Sequence, residues 1–435
     1  MSRLVLRGRV LSFHDAPQGL DDGSAYTYLE DGAVQIADGK VVAVGPFDPA
    51  AGAGAEVIDH RPHLIVPGFI DLHIHYVQAQ VVASYAAALL EWLNTYTFVE
   101  EQRFAQQGHA GAIAGAFFDE LVRHGTTTAV AYCSVHPQSA EAFFAEAERR
   151  NLLMVGGKVM MDRNAPEPLL DTPRRGYDET RALIARWHGR GRARYAISPR
   201  FALTSTPEQL EASRSLAAEF PDCYVQTHVS ENQAEIAYAM ELYPGAKDYV
   251  GIYEDYGLLG PRTLLGHAIH LNHRETEVLA GTGAVAVFCP TSNLFLGSGL
   301  FDHDRLQRAG VRIGLATDIG GGTSYSMLKT LDEAYKVMQL RGQRLDPLSS
   351  FYKVTLGNAR ALSLEDRIGS IAPGRDADLV VLDAGATPAM ALRRQTVSSL
   401  AEELFLLQTL GDDRCVREVY VAGKAAKGPL GTQVL

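Results

Sequence analysis

Eight apolar, strand-like runs alternate with helical stretches between about residues 64 and 345. They are LIVPGFIDLHIH, TTTAVAYCS (126–134), LLMVGGKVM (152–160), RYAISPRF (194–201), CYVQTHVS (223–230), TLLGHAIHL (263–271), AVAVFCPTSN (284–293) and VRIGLATDIG (311–320). Strands separated by helices predict βα units and a parallel sheet. Eight such units close a TIM-type (β/α)8 barrel. The flanks have a different texture. Residues 1–66 hold short β-like stretches with turn signals, as at 34–45 and 63–68, and the β texture returns at 368–385 and 416–428. The expected fold is therefore α/β. A barrel spans 67–367, and a small β-sandwich domain forms from 1–66 plus 368–435. The longest excursion without strands, 76–108, follows the first run. It carries Trp92, Tyr96 and Phe98 and is expected to lie over the barrel mouth.

Barrel active sites lie at the C-terminal ends of the strands, and histidines gather there. His73 and His75 end the first run with period-two spacing, so they face one way and Ile74 the other. His228 ends the fifth run, His267 lies in the sixth, and Asp318 ends the eighth. A lone strand histidine is ordinarily a satisfied core residue. Five such residues at matching strand ends instead predict an N/O site for one divalent metal, with room for water. Water held there ionises near neutral pH. Glu231, three residues after His228, can face such a water without binding the metal and is expected to carry protons.

Other histidines are set aside. His270 has odd spacing from His267 and faces away. His273 follows Asn272 at an expected helix start, and His303 is expected in a loop. His60, His63, His109, His124, His136 and His188 have no strand-end context. A two-metal scheme bridged by a modified lysine at the end of strand four is disfavoured. That strand ends in SPRF, with Arg200, and Lys158 lies in strand three.

Composition narrows the class. The 435 residues are 46% hydrophobic with no run near the roughly 18 apolar residues of a membrane span. The N-terminus reads as a strand with interleaved charges rather than a signal peptide. A net charge of −11 without a basic stripe argues against nucleic acid and leaves a small base or nucleoside compatible. Cys133, Cys223, Cys289 and Cys415 are far apart, and three of them fall in strand-like segments. No disulfide framework is expected, and a reducing cytoplasm is the simplest home.

Several stretches together resemble the amidohydrolase superfamily. They are PGFIDLHIH (67–75), HVSE, the strand-six histidine, the strand-eight aspartate and the closing SIAPGRDADLVVLD. Within it, HIHYVQ (73–78), LLEWLNTYTF (89–98), GTTTA (125–129), SPRF (198–201), THVSEN (227–232), CPTSNLFLGSG (289–299) and TDIGGGTSYSML (317–328) are similar to the guanine deaminase family. That family usually has Asn where Thr291 stands and Asp-Val-Ala-Gly where this chain has Asp-Ile-Gly-Gly; neither change touches an expected ligand.

The resemblance implies that His73, His75, His228 and Asp318 bind one zinc per subunit, and iron fits the same donors. It implies that His267 polarises the attacking water or the developing oxyanion, and that Asp318 takes a proton from that water. Glu231 would protonate a ring nitrogen, while Gln78, Arg200 and Phe201 would line the base pocket. The implied reaction is hydrolytic deamination of guanine to xanthine and ammonia, by a homodimer. Related deaminases of cytosine, an adenosine derivative or 8-oxoguanine, and a triazine hydrolase, are the alternatives. Several of those relatives carry HxAE after strand five, against HVSE here. The zinc deaminases marked by HxE followed by PCxxC are excluded, since neither element is present. A metal-free scaffold would lack part of the ligand set, which is complete here.

Overall fold

The computed structural model describes residues 3–52, 54–85 and 89–428. The chain opens with β1 (Leu4–Phe13), β2 (Tyr26–Ala37), β3 (Lys40–Pro46) and β4 (Glu56–Pro67). The central strands follow: β5 (Phe69–His75), β6 (Thr126–Tyr132), β7 (Leu153–Gly157), the two-residue β8 (Val159–Met160), β9 (Arg194–Pro199), β10 (Tyr224–Val229), β11 (Thr263–His267), β12 (Val285–Phe288) and β13 (Arg312–Leu315). The last are β14 (Leu379–Leu382), β15 (Val416–Val421) and β16 (Lys424–Ala425).

The central strands form a parallel sheet in the order β5-β6-β7-β9-β10-β11-β12-β13, with β8 beside β9. These are the eight runs expected of a TIM-type barrel. β5, β6, β7 and β12 are buried along their whole length, as parallel strands covered on both faces must be. Helices start where the sequence signals them. In DTPRR and STPEQ, Thr172 and Thr206 cap the helices Pro173–Trp187 and Pro207–Glu219, each with proline at the first helical position.

Side chains close the seam between β5 and β13. Asn358 donates to Ile70 O (2.7 Å) and Leu315 O (2.8 Å) and accepts from Leu315 N–H (3.0 Å). Asp71 accepts from Thr317 N–H (3.1 Å) and from the Thr317 hydroxyl. One side-chain amide thus satisfies three backbone groups that neither strand can satisfy alone.

Both chain ends contribute to a mixed seven-stranded sheet, in the order β16-β15-β14-β4-β1-β2-β3. β1 runs parallel to β4, and β4 pairs antiparallel with β14. Its face packs Leu6, Val10, Val34, Ile36, Ile65, Leu379 and Val381 into a separate core. Among the described residues, no helix is long and apolar enough to cross a membrane.

The cysteines and one histidine differ from expectation. Cys133, Cys223, Cys289 and Cys415 each lie one residue outside a strand, and all four are buried free thiols. His303 is not in a loop. It opens the helix His303–Arg308, is buried, and its Nε2 lies 2.8 Å from Lys353 Nζ. Burial beside that lysine pushes its pKa down to about 3.

Candidate active site

Three imidazoles converge at the C-terminal end of the barrel. The Nε2 atoms of His73, His75 and His228 lie 3.2–3.3 Å from one another. Asp318 Oδ1 is 3.4 Å from His73 Nε2 and 3.5 Å from His75 Nε2. The first pair follows from the alternation of β5. His73 has room because β11 carries Gly266, where a Cβ would meet His73 Cε1 at 2.4 Å. His228 is oriented by Arg200, whose backbone oxygen lies 2.7 Å from Nδ1. The Nδ1 proton is spent on that bond, so the Nε2 lone pair faces the cluster.

Such a cluster fits a cation. Three ring nitrogens at this separation cannot satisfy one another with protons while His228 presents a lone pair. Burial lowers the pKa of His73, and holds those of His75 and His228 well below the ordinary value. They are therefore neutral, the form that ligates metal. Burial would raise Asp318, but His73 and His267 outweigh it and bring the carboxyl to about 2. Three neutral imidazoles and one carboxylate form the donor set of a catalytic divalent metal.

His267 and Glu231 flank this set. His267 ends β11 rather than lying within it, and Asp318 stands three residues beyond the end of β13. Both have left-handed backbone, with φ of 70° and 54°, as has Ser230 before Glu231, with φ of 50°. Each such residue costs about 1–3 kcal/mol, and strain of this kind collects at functional sites. His267 Nδ1 pairs with Asn293 Oδ1 at 2.9 Å, which leaves Nε2 at 3.4 Å from Glu231 Oε2 and 3.7 Å from Asp318 Oδ2. Burial works against charge on His267, yet Glu231 and Asp318 outweigh it and raise its pKa.

Local capping places Glu231. The next residue, Asn232, caps the helix Gln233–Leu242 in a reciprocal box with Glu235. Glu235 also accepts from Glu231 N–H (2.9 Å), and Tyr249 donates to it (2.7 Å). The Ser298 hydroxyl donates to Glu231 Oε1 at 2.8 Å. Burial raises the Glu231 carboxyl to about 7, poised to give or take a proton at neutral pH.

A cavity opens beside these groups. It is lined by His75, Gln78, Arg200, Phe201, His228, Glu231, His267 and Asp318, with Leu89, Trp92, Leu93, Leu296 and Gly321.

The model of the amidohydrolase family matches residues 64–426. Guanine deaminase of Escherichia coli K12 is 46% identical over 95% of this chain and 96% of its own length. The chain belongs to the amidohydrolase family. Among solved structures, guanine deaminase from Bradyrhizobium japonicum superposes with a TM-score of 0.95 at 37% identity, covering 98% of this chain and 99% of that one. The C. acetobutylicum guanine deaminase, solved with guanine bound in its active site, gives 0.88 at 28% identity, covering 98% and 100%.

All nine residues singled out in the sequence thus reach one site in this amidohydrolase. Lys158 does not. It is fully buried in an ion pair with Asp171. His270 bonds Ser298 O, and His273 is exposed at a helix start. Sequence reasoning missed Glu101, Asn293 and Ser298, and named Trp92 only as one aromatic of the segment expected over the barrel mouth. Glu101 is fully buried, and its Oε1 accepts from Gln78 Nε2 (2.9 Å) and Arg200 Nη1 (2.9 Å). Its Oε2 accepts from the same Arg200 nitrogen at 2.8 Å. The Arg200 guanidinium also lies 5.4 Å from the Phe98 ring. Glu101, Phe98, Trp92 and the wall residues Leu89 and Leu93 all come from the 76–108 segment, of which 86–88 lie outside the described residues. That segment therefore covers the site.

Proposed function

We propose that this amidohydrolase hydrolyses guanine to xanthine and ammonia, with His73, His75, His228 and Asp318 holding one zinc ion. One observation carries the choice of base. Arg200 lines the cavity with N–H groups only, and Gln78 beside it, whose Oε1 accepts from Gly320 N–H at 3.3 Å and whose Nε2 donates to Glu101 at 2.9 Å, keeps a second N–H to give. Converging donors select a carbonyl oxygen, which guanine has at C6 and adenine replaces with an amine donor. The E. coli relative supports the same base. Iron suits the same donors; zinc rests on the resemblance.

When bound, the metal would polarise a water and lower its pKa toward about 7. The residues do the rest. Phe201 gives the flat base an apolar face, while Arg200 and Gln78 hold O6 and turn C2 toward the histidine cluster. Asp318 Oδ2, ionised and 3.7 Å from His267 Nε2, takes the proton of the attacking water. Glu231 protonates the ring nitrogen beside C2, so negative charge does not build up in the ring. His267 Nε2, with raised pKa, donates to the oxygen that develops charge at C2. Protons then pass to the amine, and ammonia leaves.

The four buried free cysteines support a reducing cytoplasm, and the resemblance alone supports a homodimer. We also propose the domain division 1–66 plus 368–435 against 67–367. It is supported by the break between β4 and β5 at Gly68 and by the return of the chain to the small sheet at β14. Residues 1–2, 53, 86–88 and 429–435 of that division lie outside the described residues.

Ammonia release from guanine, adenine, cytosine and 8-oxoguanine, measured side by side with metal-loaded protein, tests the reading. Release from guanine alone is expected. Release from another base but not from guanine would overturn the pocket assignment and leave the metal chemistry standing.

A further inference from the structure

One residue of the cavity wall carries a buried hydrogen-bond donor that the proposed reaction has not used. Trp92 is 2% exposed and lines the cavity, and its indole N–H is buried without an acceptor. A buried donor left unpaired is costly, and in native proteins it calls for an explanation. Trp92 ends the short helix Leu89–Trp92, and a π-type turn, Leu93–Thr97, follows at once. Turns of that kind re-aim side chains and recur at functional sites. The same segment brings Glu101 to Arg200 and Gln78, so the wall holding the unused donor also orients the donors for O6.

We propose that the Trp92 N–H donates to N7 of the bound purine, which makes Trp92 a specificity-determining residue. This rests on the guanine reading. The acceptors of guanine are few. O6 faces Arg200 and Gln78, N3 lies beside C2 and receives the Glu231 proton, and N1 carries hydrogen. In the 9H tautomer, N7 is the acceptor that remains. It lies next to O6, on the side of the base away from C2. A site built to bond an acceptor rejects the analogue lacking it, because its own buried group is then left unpaired.

The test compares kcat/KM for guanine and 7-deazaguanine, in which a C–H replaces N7, in wild type and Trp92→Phe. If 7-deazaguanine is turned over too slowly, its Ki against guanine replaces kcat/KM. Wild type is expected to favour guanine roughly tenfold or more, the range for one buried hydrogen bond. Trp92→Phe keeps the ring bulk. It is expected to lose a similar factor on guanine and almost nothing on 7-deazaguanine. Equal loss on both would make Trp92 a packing residue and overturn the proposal. Equal use of both by wild type would overturn it without any variant, which decides the matter even where Trp92→Phe does not fold. Wild type that releases no ammonia from guanine overturns the deaminase reading and this proposal together; the other two results overturn the Trp92 assignment alone.

Discussion

Glu101→Gln is the perturbation whose consequences are most fully set by geometry. The carboxylate accepts from Arg200 through both oxygens and from Gln78 through one, at 2.8–2.9 Å, and all three residues are buried. The substitution keeps the shape and removes the charge. One of these contacts then sets the new amide N–H against an arginine N–H, and the Arg200 cation is left buried without its partner. Breaking a buried pair from one side costs about 3–5 kcal/mol of stability. Arg200 also loses the anchor that aims it at O6. A charge-assisted hydrogen bond is worth about 1.5–3 kcal/mol, so kcat/KM for guanine should fall roughly 10- to 150-fold. The assays are urea unfolding, steady-state ammonia release and metal content, and the metal should be unchanged. A second variant, Glu101→Leu with Arg200→Met, removes both charges. It should recover most of the stability, since an apolar pair of similar volume replaces a buried ion pair at little cost. It should not recover turnover. If Glu101→Gln keeps wild-type kcat/KM while losing stability, Glu101 is only a tie between elements and Arg200 does not bind the substrate.

Two further outcomes follow from the site and the seam. Glu231→Gln should retain metal and lose about 100-fold or more in kcat, the range for one acid–base group, and its residual activity should lack the inflection near pH 7. The sign for stability is opposite to that of an ordinary paired carboxylate. The folded pKa lies above the unfolded value, so the contribution of Glu231 is whole below the ordinary glutamate pKa and is lost as pH rises through about 7. Urea unfolding of chelator-treated protein should therefore show a smaller loss from about pH 5 to 8 in Glu231→Gln than in wild type; an identical loss would contradict the raised pKa. Asn358→Ala strips partners from Ile70 O, Leu315 O and Leu315 N–H. At about 1–3 kcal/mol per orphaned group, it should destabilise by about 3 kcal/mol or more in urea and speed metal loss to a chelator.

What could be read in advance depended on how local the signal was. His73 and His75 share a face because a strand alternates, and His228 and Glu231 are placed by a strand end followed by an Asn-x-x-Glu capping box. Those rules act within a few residues, so the sequence displays them. Asp318 reads as the end of the eighth strand, whereas the chain leaves β13 at Leu315 and turns before reaching it. Glu101 was not legible, and Trp92 only as an aromatic of a segment expected over the barrel mouth. The 76–108 segment passes through short α, π and 3₁₀ turns, in which no single period tells which side chain faces the barrel. The parallel pairing of β1 with β4, and the return of β14 beside β4, depend on contacts between segments far apart in the chain. His303 looked like a loop residue because its partner Lys353 lies 50 residues away.

The most direct test of the central claim is the mass of the purine product when metal-loaded protein converts guanine in heavy-oxygen water. The account predicts xanthine bearing one heavy oxygen, at C2, with one ammonia released per xanthine. Unlabelled xanthine, or guanine recovered intact from protein with its metal bound, would contradict it.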